Sequence, residues 1–309
     1  MRDDRVYRGS GKSFIQNLFS SPHSELHKKI VENVDLIAAN DVASFRTLRK
    51  AFVDANLMAH VVQTLLESGQ IYEEQTSKDG NEKKTGRFVL HSTPKNIFTF
   101  LAKQPVEKLK ALPSLRSFFL NDQLGPLYAD KFFVAVNRPW NEYCYNDEFF
   151  ADSASMSKYH CFLVLKQHDD LLFSNVLFFG LEVGGASTGE GNELVLVEKR
   201  GERLMDAIAL LREMREAACT FLCNVTSSES FMGWEGCADD YELYFHAYPF
   251  NSVTSLHMHI VNTTLAGPAL RRHKYKNLGV NCVIRALEDE LKEVGVERAK
   301  AMQREKNKV

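Results

Sequence analysis

The stretch Ser255-Leu256-His257-Met258-His259-Ile260-Val261 alternates polar and apolar residues without a break. On a β-strand that period of two puts Ser255, His257 and His259 on one face and Leu256, Met258 and Ile260 on the other. Two imidazoles then share one space against an apolar backing, which costs free energy unless the rings are paired or used. A neutral imidazole is a competent nucleophile towards phosphorus near pH 7, and a second can donate a hydrogen bond to a phosphoryl oxygen. The same spacing also fits two half-exposed strand histidines or a zinc pair, so the strand by itself leaves three readings open.

Elements on either side must position this strand. Phe132 to Val136 is a β-branched and aromatic run ending in Asn137-Arg138-Pro139-Trp140, a strand entering a turn. His160 to Leu165 is a second strand and Tyr241 to His246 a third, the latter running to Pro249. Between them Leu204, Ile208, Leu211, Met214 and Ala218 recur at helical spacing and predict one long amphipathic helix within 198–223. Nearer the N-terminus, Ser24–Ala39 and Val42–Ser68 read as two or three helices, with Asp41 placed to cap the second stretch. Gln70–Gln75 and Arg87–His91 read as strands of a charged hairpin. Val283 to Lys308 reads as a charged helix with a thin apolar stripe of Leu287, Leu291 and Val294, suited to packing across the sheet or to a partner helix.

Four motifs in order carry a resemblance: Asn137-Arg138-Pro139; His160 followed by Leu163-Val164, Lys166 and His168; Phe245-His246-Ala247-Tyr248-Pro249; and Leu256-His257-Met258-His259-Ile260-Val261. Together, over about residues 130–280, they resemble the histidine triad (HIT) superfamily. The His246-Ala247-Tyr248-Pro249 step and the stretch from Pro268 to Asn277 look most like the aprataxin branch, with the scavenger mRNA-decapping enzymes a second similar branch. The resemblance implies that His257 forms a covalent nucleotidyl intermediate and that His259 and His160 act beside it at the phosphates. It further implies ribose binding by Asn137 and a phosphate-facing His246. Ser255 stands where the family has its first triad histidine, and its main-chain carbonyl can still hold the central imidazole. Arg271 and Lys274, from a basic run that also holds Arg272 and Lys276, are candidates for contact with a distal phosphate or a polynucleotide, although a solvated loop explains the run as well. Phe133 and Leu163 could line a base pocket or serve as ordinary core.

The expected fold class is α+β: a HIT-like antiparallel sheet with a long helix, preceded by a small mainly helical domain that resembles a winged helix. The expected division is a flexible N-terminus over 1–23, the helical module over 24–95, a connection over 96–125, the HIT-like domain over 126–280 and a charged helix over 281–309. Insertions relative to the family fall at 141–157 and 184–191, and 251–254 lengthen the loop before the triad. The zinc finger that follows the domain in aprataxin is missing, since Cys282 stands alone there.

Two other motifs are set aside. Gly9-Ser10-Gly11-Lys12-Ser13 looks like a phosphate loop, but Val6 stands where the pattern needs its first glycine. His23 and His27 have the spacing of a helical metal pair without a third ligand nearby.

A net charge of -2 argues against a protein that coats nucleic acid without specificity, and the first hundred residues hold 14 Lys and Arg against 12 Asp and Glu. The cysteines form no C-x-x-C pair, and no apolar run has the length of a signal peptide core or a membrane span, so a reducing compartment, cytoplasmic or nuclear, is expected. The expected ligand is a nucleotide or nucleotidylated substrate, with nucleic acid and a protein partner of the N-terminal module as further candidates. The chemistry requires no cofactor and no metal. Two functions fit: a hydrolase of nucleotidyl bonds, and a degenerate HIT domain that binds without turnover.

Overall fold

The structure, a computed structural model, describes residues 41–54, 57–76, 85–91, 123–136, 155–166, 170–181, 193–227, 236–248, 251, 255–272 and 274–307. Asn137, the pair His23 and His27, the glycine-rich 184–191 and most of the 141–157 insertion lie outside the described residues.

Asp41 caps the first helix as its position predicts: its carboxylate accepts from Ser44 N at 2.9 Å and from Ser44 Oγ at 2.8 Å. Helix α1 (Val42–Asp54) and helix α2 (Leu57–Glu67) occupy the stretch that reads as helical. Their inward positions, Phe45, Leu48 and Phe52 on α1 and Met58, Val61 and Leu65 on α2, recur at three- and four-residue steps and are buried. Gly69, at φ 64, ends α2 with a left-handed turn in which Gln70 N bonds Leu65 O at 2.8 Å. The chain then makes an antiparallel hairpin of β1 (Ile71–Thr76) and β2 (Thr85–Leu90), with Ile71 opposite Leu90.

The main sheet is antiparallel throughout, in the order β3-β4-β6-β5-β7. Its strands are β3 (Phe132–Val136), β4 (His160–Leu165), β5 (Tyr241–His246), β6 (His257–Asn262) and β7 (Asn277–Gly279). A short helix α3 (Pro126–Ala129) leads into β3, and α4 (Glu193–Ser227) fills the interval between β4 and β5. After β6 come the short α5 (Pro268–Arg272) and then α6 (Val280–Lys306), which leaves β7 without a loop. The fold is therefore mixed α+β, with antiparallel sheets and a long helix. No helix among the described residues is long and apolar enough to cross a membrane.

Alternation along the strands sends Cys161, Leu163, Met258, Ile260 and Phe245 into one large cluster with Leu204, Leu211, Met214 and Phe221 of α4 and Val283 and Leu287 of α6. The other face of β4, β5 and β6 carries the histidines. The C-terminal helix packs on α4 and α1 rather than standing free for a partner helix. Phe45 and Phe52 of α1 belong to the same cluster as the main sheet, so the N-terminal helices share its core.

Between β4 and α4, residues 171–181 cross this core as a 3-10 turn (Leu171–Phe173) followed by irregular chain. Buried irregular backbone requires partners for its polar groups. Arg49 of α1, 2% exposed, supplies them by donating to the carbonyls of Val176 and Leu177 at 3.1 Å each and of Phe179 at 2.6 Å. Its guanidinium also forks onto Glu290 of α6, with Nε and Nη2 at 2.7 and 2.9 Å from the carboxylate oxygens. Asn175 ties the same segment to β5, donating to His246 O at 3.1 Å and accepting from Leu177 N at 3.1 Å.

Candidate active site

The register of the central strands decides which side chains meet. Phe162 on β4 and Tyr244 on β5 both lie opposite His259, and Val164 lies opposite His257. Residues paired across an antiparallel ladder share a face, so His160, Phe162, His246, His257 and His259 all project from the side of the sheet turned away from α4. The ring of His246 lies 3.7 Å from that of His259, centroid to centroid, and His160 lies 5.2 Å from His259 on the other flank. Phe162 stands nearly perpendicular to both β6 rings, at 5.5 Å from His257 and 4.9 Å from His259. All four imidazoles are buried: His160 is 1% exposed, His259 4%, His257 6% and His246 8%.

Hydrogen bonds to the main chain fix where the protons sit. A carbonyl can only accept, so the 2.8 Å contact between His257 Nδ1 and Ser255 O places the His257 proton on Nδ1 and the lone pair on Nε2. A backbone N–H can only donate, so Met156 N, 3.1 Å from His160 Nδ1, makes that nitrogen an acceptor and puts the His160 proton on Nε2. That Nε2–H faces His259 Nδ1 at 3.0 Å, which leaves the His259 proton on Nε2. His259 Nε2 meets no hydrogen-bond partner among the described residues. One ring of β6 therefore presents a lone pair and the other a donor.

Burial is the largest cause of a lowered pKa at every one of these histidines, taking His257 to about 4 and His160 to about 3 and holding His246 and His259 well below the usual imidazole value. The Ser255 carbonyl opposes the fall at His257. Asn277 opposes it at His246, without completing a hydrogen bond to either ring nitrogen. The positive charge of Lys276 adds to the fall at all four rings. Burial also lowers Lys276 itself, to about 8, so it keeps most of its proton at pH 7. The imidazoles are neutral at that pH, and Lys276 supplies the cation.

Beside His257 a cavity is lined by Ser174, Asn175, Asn251, Ser255, Phe245 and His246, among others. Its volume of about 10 Å³ holds about one water molecule. The side chains of His246, Ser255 and Asn277 all present buried polar atoms without a hydrogen-bond partner among the described residues. Such atoms in a folded protein call for a ligand, an ion or a water.

The structure thus brings together His257, His259, His160, His246 and Ser255. His160 stands behind His259 rather than at the front of the site, because its Nε2 is turned onto His259. Arg271 and Lys274 are exposed, and the cation felt by the histidines is Lys276. Leu163 lies on the helix-packed face and is core; Phe133 is buried in the same cluster but pairs with Val164, on the face that carries the histidines. Phe162, Asn175, Lys276 and Asn277 are the residues that the sequence did not single out as site residues. Phe162 could have been found from its alternation with His160, whereas nothing separates Lys276 from the other cations of its run. The expectation that no metal is involved meets a close group of imidazoles: ligand atoms of His246, His257 and His259 all lie within 4.8 Å of one another. No protein-family model matches the chain, and comparison with curated proteins and with solved structures returns no match either.

Proposed function

We propose that the chain is a HIT-like nucleotidyl hydrolase in which His257 Nε2 attacks the α-phosphorus of a nucleotide ester, anhydride or amide. The observation that carries this reading is the 2.8 Å bond from His257 Nδ1 to the Ser255 carbonyl, which aims the lone pair of the central imidazole away from the main chain. In the first step a nitrogen–phosphorus bond forms, the bond from phosphorus to the leaving group breaks, and the leaving group takes its proton from solvent while His259 Nε2–H donates a hydrogen bond to a phosphoryl oxygen. In the second, water attacks the nucleotidyl-imidazole, the nitrogen–phosphorus bond breaks, the released proton goes to solvent, and a nucleoside monophosphate departs. Lys276 and His246 face the phosphate charge. His160 acts as a positioning residue that keeps His259 in its donor tautomer, and Arg271 and Lys274, which are exposed, would contact a longer substrate such as a nucleic-acid end. The succession of two helices and a hairpin in α1, α2, β1 and β2 resembles part of a winged helix and supports the same class of substrate.

The second reading is a degenerate HIT domain that binds a nucleotide without turnover. It is favoured by Ser255, whose hydroxyl occupies the first triad position without a hydrogen-bond partner among the described residues.

Incubation with substrates labelled at the α-phosphorus separates the two. Adenylated DNA, a capped dinucleotide, a dinucleoside polyphosphate and an adenosine phosphoramidate form a suitable set. An acid-labile labelled adduct on wild type, missing from His257→Ala, is the expected outcome. Nucleotide binding without adduct or product from any of the four supports the non-catalytic reading and ends the enzymatic one.

A further inference from the structure

We propose that His246, His257 and His259 form a binding site for a first-row transition dication such as Zn²⁺, with His160 and Ser155 as its outer support. The ligand atoms of the three rings lie within 4.8 Å of one another, and the rings are neutral and buried. In a tetrahedral zinc site nitrogens about 2.0–2.1 Å from the metal are separated by about 3.4 Å, so closure needs side-chain rotations of at most about 1.5 Å. Imidazole nitrogens suit this class of ion better than the alkaline-earth ions, which select oxygen.

His246 is the residue that the nucleotidyl reading leaves with least to do. It is 8% exposed, and neither ring nitrogen meets a hydrogen-bond partner among the described residues. A shared ion would satisfy His246 and His259 Nε2 in one step.

Each ligand of a metal site is ordinarily held by an outer partner that fixes its tautomer. For His257 that partner is the Ser255 carbonyl at 2.8 Å, which leaves Nε2 as the ligand atom. For His259 the partner is His160, and metal capture requires a second proton arrangement, in which Met156 N–H gives up its bond to His160 Nδ1. With Met156 N donating to His160 Nδ1, the His259 proton sits on Nε2 and no ion can bind there. Ser155 Oγ lies 3.3 Å from the same His160 Nδ1, and it gives its own hydrogen to Ser157 O at 2.8 Å, so a lone pair remains for the ring. A proton on His160 Nδ1 then donates to Ser155 Oγ. In that arrangement His160 Nε2 accepts from His259 Nδ1, and the lone pair of His259 Nε2 is released to the ion. Both rings change tautomer, and the number of bound protons is unchanged.

The ion would take the His257 Nε2 lone pair, so metal capture and covalent catalysis exclude each other. This consequence rests on the nucleotidyl reading, whereas the binding site itself does not.

The test is calorimetric titration of Zn²⁺ into the full chain stripped with a chelator, beside His246→Ala and the size-conserving His246→Gln, each checked by circular dichroism for its fold. Wild type is expected to take up one equivalent more than either variant. Co²⁺ is expected to give the visible spectrum of tetrahedral nitrogen ligation in wild type alone. Ser155→Ala is expected to weaken zinc binding by about tenfold, the lower end for loss of an outer partner. Equal uptake by wild type and both His246 variants, or unchanged affinity in Ser155→Ala, overturns the proposal. Adduct formation by chelated protein that takes up no zinc sinks the metal site and leaves the nucleotidyl reading standing. Zinc uptake by a chain that forms no adduct does the reverse.

Discussion

Replacing Arg49 with methionine keeps the length of the stem and removes the fork that joins α1, α6 and the 171–181 segment. Glu290, with a side chain 10% exposed, would retain Arg200 at 3.0 Å and lose the two shorter bonds to Arg49. Breaking a buried pair from one side costs about 3–5 kcal/mol. The carbonyls of Val176, Leu177 and Phe179 would lose a donor as well, at about 1 kcal/mol each. Because Arg200 still offsets part of the charge, the lower end of the first range applies, and the expected loss is about 6 kcal/mol. That is a large share of the roughly 5–15 kcal/mol by which domains are stable. Urea unfolding followed by circular dichroism measures it. Arg49→Met combined with Glu290→Leu should regain about 2 kcal/mol, since the stranded carboxylate is then gone. A loss under about 1.5 kcal/mol in the single variant, or no recovery in the double, would refute the account of Arg49 as the support of that segment. The segment is also the wall of the cavity beside His257, through Ser174, Asn175 and Val176, so under the proposed nucleotidyl function nucleotide affinity should fall along with stability.

Three further outcomes are expected. The folded pKa values of His257 and His160, about 4 and 3, lie below the ordinary 6.5, so the unfolded chain binds protons that the native state refuses. The stability they contribute is complete above pH 6.5 and is lost as pH falls towards 4, by about 2 kcal/mol for each ring at pH 5; equal urea midpoints at pH 7.5 and pH 5 would contradict the burial of neutral rings. Lys276→Met removes the cation felt by all four imidazoles and should weaken AMP binding by about tenfold or more in calorimetry, the scale of one charge-assisted hydrogen bond; matching losses in Lys274→Met and Arg271→Met would show that Lys276 has no special place. Gly180, at φ +71, would bring an added Cβ to 2.7 Å from two atoms of the buried Leu204, so Gly180→Ala should lower stability by about 1–3 kcal/mol, and an unchanged melting temperature would speak against that packing.

Much of the site was legible because its signals are local. The alternation that ends in His257 and His259 determines which face those rings occupy, and β3, β4 and β5 have the bounds that their β-branched and aromatic runs predict. Val42–Ser68 gives two helices, and β6 starts two residues later than the alternation that announces it, because Ser255 bends back to hold His257 by its carbonyl. Lys276 is indistinguishable in sequence from Arg271 and Lys274. What singles it out is the short strand β7, which sets the next residue, Asn277, opposite His246, and three residues carry too little pattern to be read as a strand. Arg49 and Glu290 look like ordinary helix-surface charges. Their burial depends on partners 241 residues apart, and no window along the chain contains both.

That separation bears on how the chain reaches its fold during synthesis. Helix α1 is made before α6, and the carboxylate that neutralises its buried arginine lies 241 residues further along the chain. Until α6 has been translated, Phe45, Leu48 and Phe52 lack part of the surface that covers them, and Arg49 has nowhere to lodge. Helix α1 must therefore wait for those later residues, and its final docking follows the synthesis of α6.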